Sequence, residues 1–471
     1  MRFIVTSLLL LSWGLTPLSR AWAQPSGHVA VWLTTADRRQ LLALQSQGPK
    51  LHKADPQPKT IVVDDRQTFQ TVDGFGFTMT GGSAQLLHRM DPTQRHALLK
   101  KIFGRGPGED GVSYLRVSLG SSDMNDHVFT YDDMPAGETD PGLKHFTLAE
   151  DETDLIPVLK EVLGLSPGLQ ILASPWSAPS WMKTNDAPKG GSLKPALYRV
   201  YAAYLLRYLQ GMEAQGVPIA ALTLQNEPLN PKNTPSMVME ASEEDAFLRD
   251  ALGPALQRAG FRTRVVLFDH NCNHPDYPIT ILNDPKARPF ADGSGFHLYE
   301  GDISALSEVH DAFPEKNLYF TEQMVIEEKR DGVLRPVADP VSRIVIGAMR
   351  NWSRTVLLWN LAADPSFGPH TADGGCPVCQ GAITLDRNQV TRNIAFYTIA
   401  HASRFVPPGS IRIASTQPGP ELANVAWRTP QGGHVLLVTN TSKAAQSLTV
   451  GIGTQEFSAG LPPGSVGTFV W

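Results

Sequence analysis

LQILASPWS (169–177), LKPALYRVYAAYLLRYLQGMEAQG (193–216) and IAALTLQNEP (219–228) follow one another as a strand–helix–strand unit on which the fold class rests. The outer two runs are short, apolar and bounded by Gly, Pro or Asn, as buried parallel strands are. The middle segment carries apolar residues at three- and four-residue spacing and stops at Gly216, the signature of an amphipathic helix. Moving outward, the same alternation recurs. The other strand-like runs are TVDGFGFTMTG (71–81), YLRVSLG (114–120), TRVVLFDHN (263–271), GSGFHLYEG (293–301), NLYFTEQMV (317–325) and RTVLLWNLA (354–362). A second helical stretch, ASEEDAFLRDALGPALQRAG (241–260), opens with acidic residues that suit a helix N-terminus, and Pro254 inside it predicts a kink. Eight strand–helix units over this span predict an α/β fold, a (β/α)8 barrel over 71–405.

The tail reads differently. IRIAS, LANVAWRT, HVLLVTNTS, SLTVGIG and SVGTFVW, separated by Gly/Pro-rich turns, predict antiparallel strands and a β-sandwich over 406–471. HVAVWLTT (28–35) and TIVVDD (60–65) share that character. Residues 24–70 are therefore expected to join the tail in an accessory domain built from both chain ends.

The chain has 471 residues, a formal net charge of -5 and 18% charged residues. No Lys/Arg-rich block suggests a nucleic-acid partner, and three cysteines exclude a disulfide-dense scaffold. Residues 1–23 combine Arg2, a largely apolar core and an Ala21-Trp22-Ala23 cleavage pattern, which reads as a secretory signal peptide. No later run is long and apolar enough for a transmembrane helix. The expectation is an exported protein, periplasmic or extracellular. Export permits disulfides, and Cys376 and Cys379 in GGCPVCQG are read as a loop disulfide in preference to a metal pair. Cys272, between His270 and His274, is read as a small residue in a polar loop.

In such a barrel the chemistry lies at the C-terminal strand ends. Those ends carry Asp123, Trp176, Asn226 with Glu227, His297 with Tyr299, Glu322, and Trp359 with Asn360. Carboxylates, tryptophans, amides and hydroxyls around one mouth describe a carbohydrate site, because sugar ring faces stack on Trp while sugar hydroxyls need paired partners. Glu227 and Glu322 follow apolar runs on strands four and seven. That pair suits retaining glycoside hydrolysis, in which the carboxyls stand about 5 Å apart. Glu227 is assigned as acid/base, held protonated by the negative Glu322. Glu322 is the nucleophile, steadied by Tyr299; Arg116 is read either as its support or as a partner of another barrel carboxylate. No metal or organic cofactor is expected.

These residues resemble glycoside hydrolase family 30, whose members include the glucosylceramidases. The resemblance rests on QTVDGFGFTMTGGSA, YLRVSLGSSDM, ILASPWSAPSWMKTN, LTLQNEP, SGFHLYEGD, LYFTEQM and LLWNLAAD, in order along the chain. It implies a retaining β-glycosidase with Glu227 as acid/base and Glu322 as nucleophile. It also implies substrate contacts at Asp123, Trp176, Asn226, Tyr299 and Trp359, with Arg116 in support of the nucleophile; Arg116 and His297, also on these strands, are counted with the substrate-binding set. The implied substrate is a β-glucoside (oligosaccharide, polysaccharide or glycolipid), in the first instance of the glucosylceramidase type. The family also holds β-1,6-glucanases, β-glucosidases, xylosidases and xylanases. The loops after Glu227 and after strand eight depart from the animal lysosomal enzymes, and GGCPVCQG is more like microbial members. A non-catalytic carbohydrate-binding barrel is the reading of a different class; it predicts loss of one carboxylate, and both are present.

Overall fold

The computed structural model describes residues 27–330 and 333–471; the expected leader lies outside them. Among these residues eight parallel strands close a barrel. They are β1 (Gly74–Met79), β2 (Tyr114–Leu119), β3 (Gln170–Pro175), β4 (Ala221–Thr223), β5 (Arg264–Cys272), β6 (Ala291–Gly301), β7 (Asn317–Glu322) and β8 (Ser353–Leu358). Each pairs with its neighbour in sequence, and β8 pairs with β1 to close the ring. Alternate side chains point inward, so Tyr114, Leu172, Ala221, Val266, Tyr319 and Leu357 pack as one internal cluster. At the N-terminal end of the barrel Asp73 accepts from Arg264 at 2.8 Å and from Arg354 at 2.6 Å, which ties three strand starts together.

Helices cover the outside. Tyr198–Ala214 forms as the periodicity predicts, introduced by the short turn Pro195–Leu197. The stretch 241–260 changes helical form just ahead of Pro254. Ala241–Phe247 and Gly253–Ala259 are α-helical, and Leu248–Leu252 between them widens into a π turn. A proline has no N–H and crowds the carbonyl four residues back, so the widened turn takes up the misfit. Gly260, at φ 74°, ends the helix in the left-handed conformation that glycine tolerates.

The two chain ends share one sheet, as expected. Ala30–Thr34 pairs antiparallel with Ser465–Val470, and Ile61–Thr71 lies between Ile411–Ser415 and Gln446–Ile452. Val29, Ile61, Leu436, Phe457 and Phe469 fill its core. One strand of this domain, Gln455–Leu461, escapes the sequence reading because Ser, Ala and Gly interrupt its apolar alternation; it forms a hairpin with Gln446–Ile452. The domain docks on the barrel through the helix Ile394–Ser403. There the buried His401 reaches Thr468 at 2.9 Å and Thr34 at 2.7 Å, one residue from each chain end. Burial, with Arg404 nearby, lowers that imidazole to about 3, so it stays neutral there. No helix among the described residues is long and apolar enough to cross a membrane.

Candidate active site

Strand β4 pairs over only three residues, and the chain then turns abruptly. The Asn226 N–H donates to the Pro175 carbonyl at 2.7 Å, and the Glu227 N–H donates to the Asp269 carbonyl at 3.0 Å. Glu227 sits at φ 43°, a left-handed conformation rare for a residue with a side chain. Neighbouring β5 carries two more such residues, Phe268 at φ 71° and Asp269 at φ 58°, where its register against β6 shifts. The bulge turns Asp269 into the barrel.

Closure of the barrel brings the sequence-predicted carboxylates together. Glu227, His297 and Glu322 offer ligand atoms that all lie within 4.8 Å of one another. Arg116 lies beneath them, fully buried. Its Nη1 donates to Glu322 Oε2 at 2.6 Å, and its Nη2 donates to Asn226 Oδ1 at 2.6 Å and Asp269 Oδ2 at 2.7 Å. Tyr299 OH donates to Glu322 Oε1 at 2.9 Å. Both oxygens of the expected nucleophile are thus held by donors. On the other carboxylate, Asn230 Nδ2 donates to Glu227 Oε2 at 2.6 Å, and His297 Nδ1 lies 3.2 Å from Oε1. His297 Nε2 lies 3.1 Å from Asp269 Oδ1.

The charges follow from this packing. Burial works against a charged His297, yet Glu322, Asp269 and Glu227 around it outweigh burial and raise it to about 9. Burial likewise opposes ionisation of Asp269, which Arg116 and His297 hold well below the usual carboxylate range. Burial raises Glu322, against the pull of His297 and Arg116. Glu227 overcomes its burial through the His297 hydrogen bond and falls to about 2. This corrects one expectation: in the open site the charge of Glu322 does not hold Glu227 protonated, because an imidazolium stands between the two. A carboxylate pair sharing an imidazolium titrates as a unit, with the mobile proton in the cluster.

The cavity above these groups has a volume of about 560 Å³ and is lined by Asp123, Trp176, Asn226, Glu227, Tyr299, Glu322 and Trp359. Trp176 and Trp359 lie 5.4 Å apart between ring centroids at 32°. Burial, with Glu322 and Glu227 nearby, raises Asp123 to about 8, so it can donate a hydrogen bond. Arg116 and His297 differ from their expected placement as substrate contacts. Both side chains are 0% exposed and absent from this lining, because the inward-facing carboxylates they hold cover them.

Sequence reasoning missed Asp269, although it lies near the C-terminal end of the run TRVVLFDHN where the same strand-end logic applies, and it missed Asn230, which needs the turn after Pro228 to fold back. It also missed the outer wall of the cavity, where Asn230, Lys232, Asn233, Asn273, His274 and Glu300 stand. Cys376 and Cys379 are joined as a disulfide, and both pack with Trp176, Trp359, Met124 and Met324. Buried Cys272 makes no disulfide. Among the described residues, Glu227, His297 and Glu322 are the group whose donor atoms could reach one metal ion. Arg116 and the protonated His297 already supply their counter-charges, so the donor set does not favour one.

Residues 72–406 match the model of the Glycosyl hydrolase family 30 TIM-barrel domain, and residues 409–469 match that of the Glycosyl hydrolase family 30 beta sandwich domain. An endo-1,6-beta-D-glucanase of Aspergillus fumigatus is 31% identical over 437 residues, covering 87% of each chain. The solved structure of an endo-beta1,6-glucanase superposes with a TM-score of 0.87 at 33% identity, covering 95% of this chain and 99% of that one. The lysosomal acid glucosylceramidase of Mus musculus is 27% identical over 441 residues, covering 87% of this chain and 83% of its own.

Proposed function

The chain belongs to glycosyl hydrolase family 30, and on that premise we propose that it is an exported, retaining β-1,6-glucanase with Glu227 as acid/base and Glu322 as nucleophile. The observation that carries the substrate class is the polar outer wall. The Asn230–Asn233 turn, Asn273, His274 and Glu300 offer hydrogen-bond partners where a leaving sugar would sit. A ceramide would instead need a contiguous apolar surface. Among the described residues the exposed large hydrophobics are few, at Leu44, Val62, Tyr299 and Val378, and of these only Tyr299 lines the cavity. The β-1,6-glucanase relatives support the same choice over the glucosylceramidase reading. Export is supported by the leader-like residues 1–23.

In the first step an oxygen of Glu322 attacks the anomeric carbon as the glycosidic C–O bond breaks, and the leaving oxygen takes a proton from Glu227. Glu227 receives that proton across its hydrogen bond from His297 as it passes it on, so the glycosyl-enzyme is left with Glu227 ionised and His297 neutral. Glu322 contributes most to raising His297, so esterification of Glu322 removes that contribution and the imidazolium yields its proton toward Glu227. In the second step Glu227 takes a proton from water, whose oxygen displaces Glu322 from the anomeric carbon with net retention.

The test is a comparison of kcat/KM on gentio-oligosaccharides, glucosylceramide, aryl β-glucosides and aryl β-xylosides. Preference for the β-1,6-linked oligosaccharides by at least about 10-fold, roughly 1.4 kcal/mol, is expected. Preference for glucosylceramide or for the xyloside would overturn the substrate reading, and an inverted product would overturn the nucleophile.

A further inference from the structure

Behind the catalytic strands lies a carboxyl group that the reaction scheme does not use. Glu244, on the helix Ala241–Phe247, is completely buried. The Phe268 N–H donates to its Oε1 at 3.0 Å, and its Oε2 lies 2.8 Å from Tyr277 OH. Tyr277 OH also lies 2.6 Å from the Met239 carbonyl, and the Met239 N–H donates to the Pro228 carbonyl at 2.9 Å. One side chain therefore reaches the residue before Asp269 and, through Tyr277 and Met239, the residue after Glu227. Glu227, Phe268 and Asp269 are the left-handed residues of the site, and such conformations persist only where surrounding contacts hold them.

Counting hydrogens fixes the form of the group. Tyr277 has one hydroxyl hydrogen, and the Met239 carbonyl can only accept, so that hydrogen belongs to the 2.6 Å contact. The Tyr277 oxygen must then accept from Glu244, which requires Glu244 to carry a proton. An ionised Glu244 would draw the hydrogen to itself and take it from the Met239 carbonyl. Burial acts in the same direction and raises the group to about 7. The titratable groups facing it are Asp269 and Tyr277, with Glu240 and Glu243 facing Tyr277 in turn.

We propose that Glu244 is a positioning residue in its neutral, protonated form, bracing the left-handed turns that aim Glu227 and Asp269 into the site. The inference rests on the roles given above to Glu227 and Asp269.

The experiment compares Glu244→Gln, Glu244→Met and Tyr277→Phe in the full chain, with kcat and KM on an aryl β-glucoside corrected for the active fraction by titration with a mechanism-based inactivator. Glutamine offers an acceptor to Phe268 and a donor to the Tyr277 oxygen, so kcat within about 3-fold of wild type is expected. Glu244→Met is expected to lower kcat at least about 10-fold with KM within about 3-fold, and Tyr277→Phe to fall between them. The infrared carboxylic-acid C=O band, recorded about one unit below the group's value of about 7, should be present in wild type and missing in Glu244→Gln. A glutamine variant as impaired as the methionine one, variants all equal to wild type, or no band difference would each overturn the proposal. The band reports on Glu244 whatever the substrate is. A wild-type chain that shows the band yet cleaves no β-glucoside defeats the functional reading instead.

Discussion

Arg116 and Glu322 are 206 residues apart in sequence and 2.6 Å apart in the barrel, joined where the guanidinium is fully buried and the carboxylate is open only to the cavity. The same guanidinium holds Asn226, next to the proposed acid/base, and Asp269, which orients His297. One buried cation thus fixes the spacing of both carboxylates. A planar fork with several fixed donors can do this where an ammonium cannot.

Replacing the fork while keeping the charge should therefore be costly. Arg116→Lys is expected to lower kcat/KM about 10²-fold, some 2.7 kcal/mol, with the acid limb moved to higher pH as Glu322 loses its donor. A lysine variant within about 3-fold of wild type, measured by full pH–rate profiles, would show that charge alone suffices.

The two carboxylates should fail differently. Glu322→Ala is expected to lose about 10⁴-fold or more on every substrate. Glu227→Ala should lose about 10²–10⁴-fold on gentio-oligosaccharides and far less on aryl glycosides whose leaving groups need no protonation. Added azide should rescue the Glu227 variant to a β-glycosyl azide and the Glu322 variant to an α-glycosyl azide, read by NMR. The opposite anomers would exchange the roles.

The pH dependence has a definite sign. His297 is raised from 6.5 to about 9, so its charged form contributes fully below 6.5, and that contribution is lost as pH rises through about 9. An alkaline limb in kcat/KM and a falling Tm are expected over that window. Asp269→Asn, which removes one of the carboxylates holding the imidazolium, should move the limb toward 6.5. An unmoved limb in that variant would remove His297 from the proton path.

The disulfide is placed to shape the cavity. Cys379 is buried against Trp176 and Trp359, and Cys376 lines the wall beside it. The double variant Cys376→Ser, Cys379→Ser should raise KM for gentio-oligosaccharides about 3- to 10-fold, up to about 1.4 kcal/mol. It should change kcat on an aryl β-glucoside less than about 2-fold. Equal losses on both substrates would indicate general loosening of the loop.

Much of the site was legible because a strand followed by a helix announces where its C-terminal end lies. Glu227 and Glu322 stand directly after apolar runs, and Trp176, Tyr299 and Trp359 do the same, so strand-end position alone put them around one mouth. Asp269 obeys that rule too, but the stretch it opens, DHNCNHP, reads as a polar loop and hides it. Glu244 could not be found this way. It sits on an exterior helix among Glu240, Glu243 and Asp245, and nothing in a run of acids marks the one that will be buried.

Periodicity, glycine stops and strand-end residues determined the barrel, the β-domain shared by the chain ends and the identity of the two carboxyls. Those features depend on local spacing, which a sequence carries explicitly. Tertiary structure alone decided that His297 and Arg116 lie beneath the carboxylates instead of against the sugar. It also decided that His297 carries the proton expected on Glu227, and that a buried acid stands behind them both. Each of these depends on which groups a closed barrel removes from water together. Burial and proximity set the charge of an ionisable group, and neither is a property of neighbours in sequence.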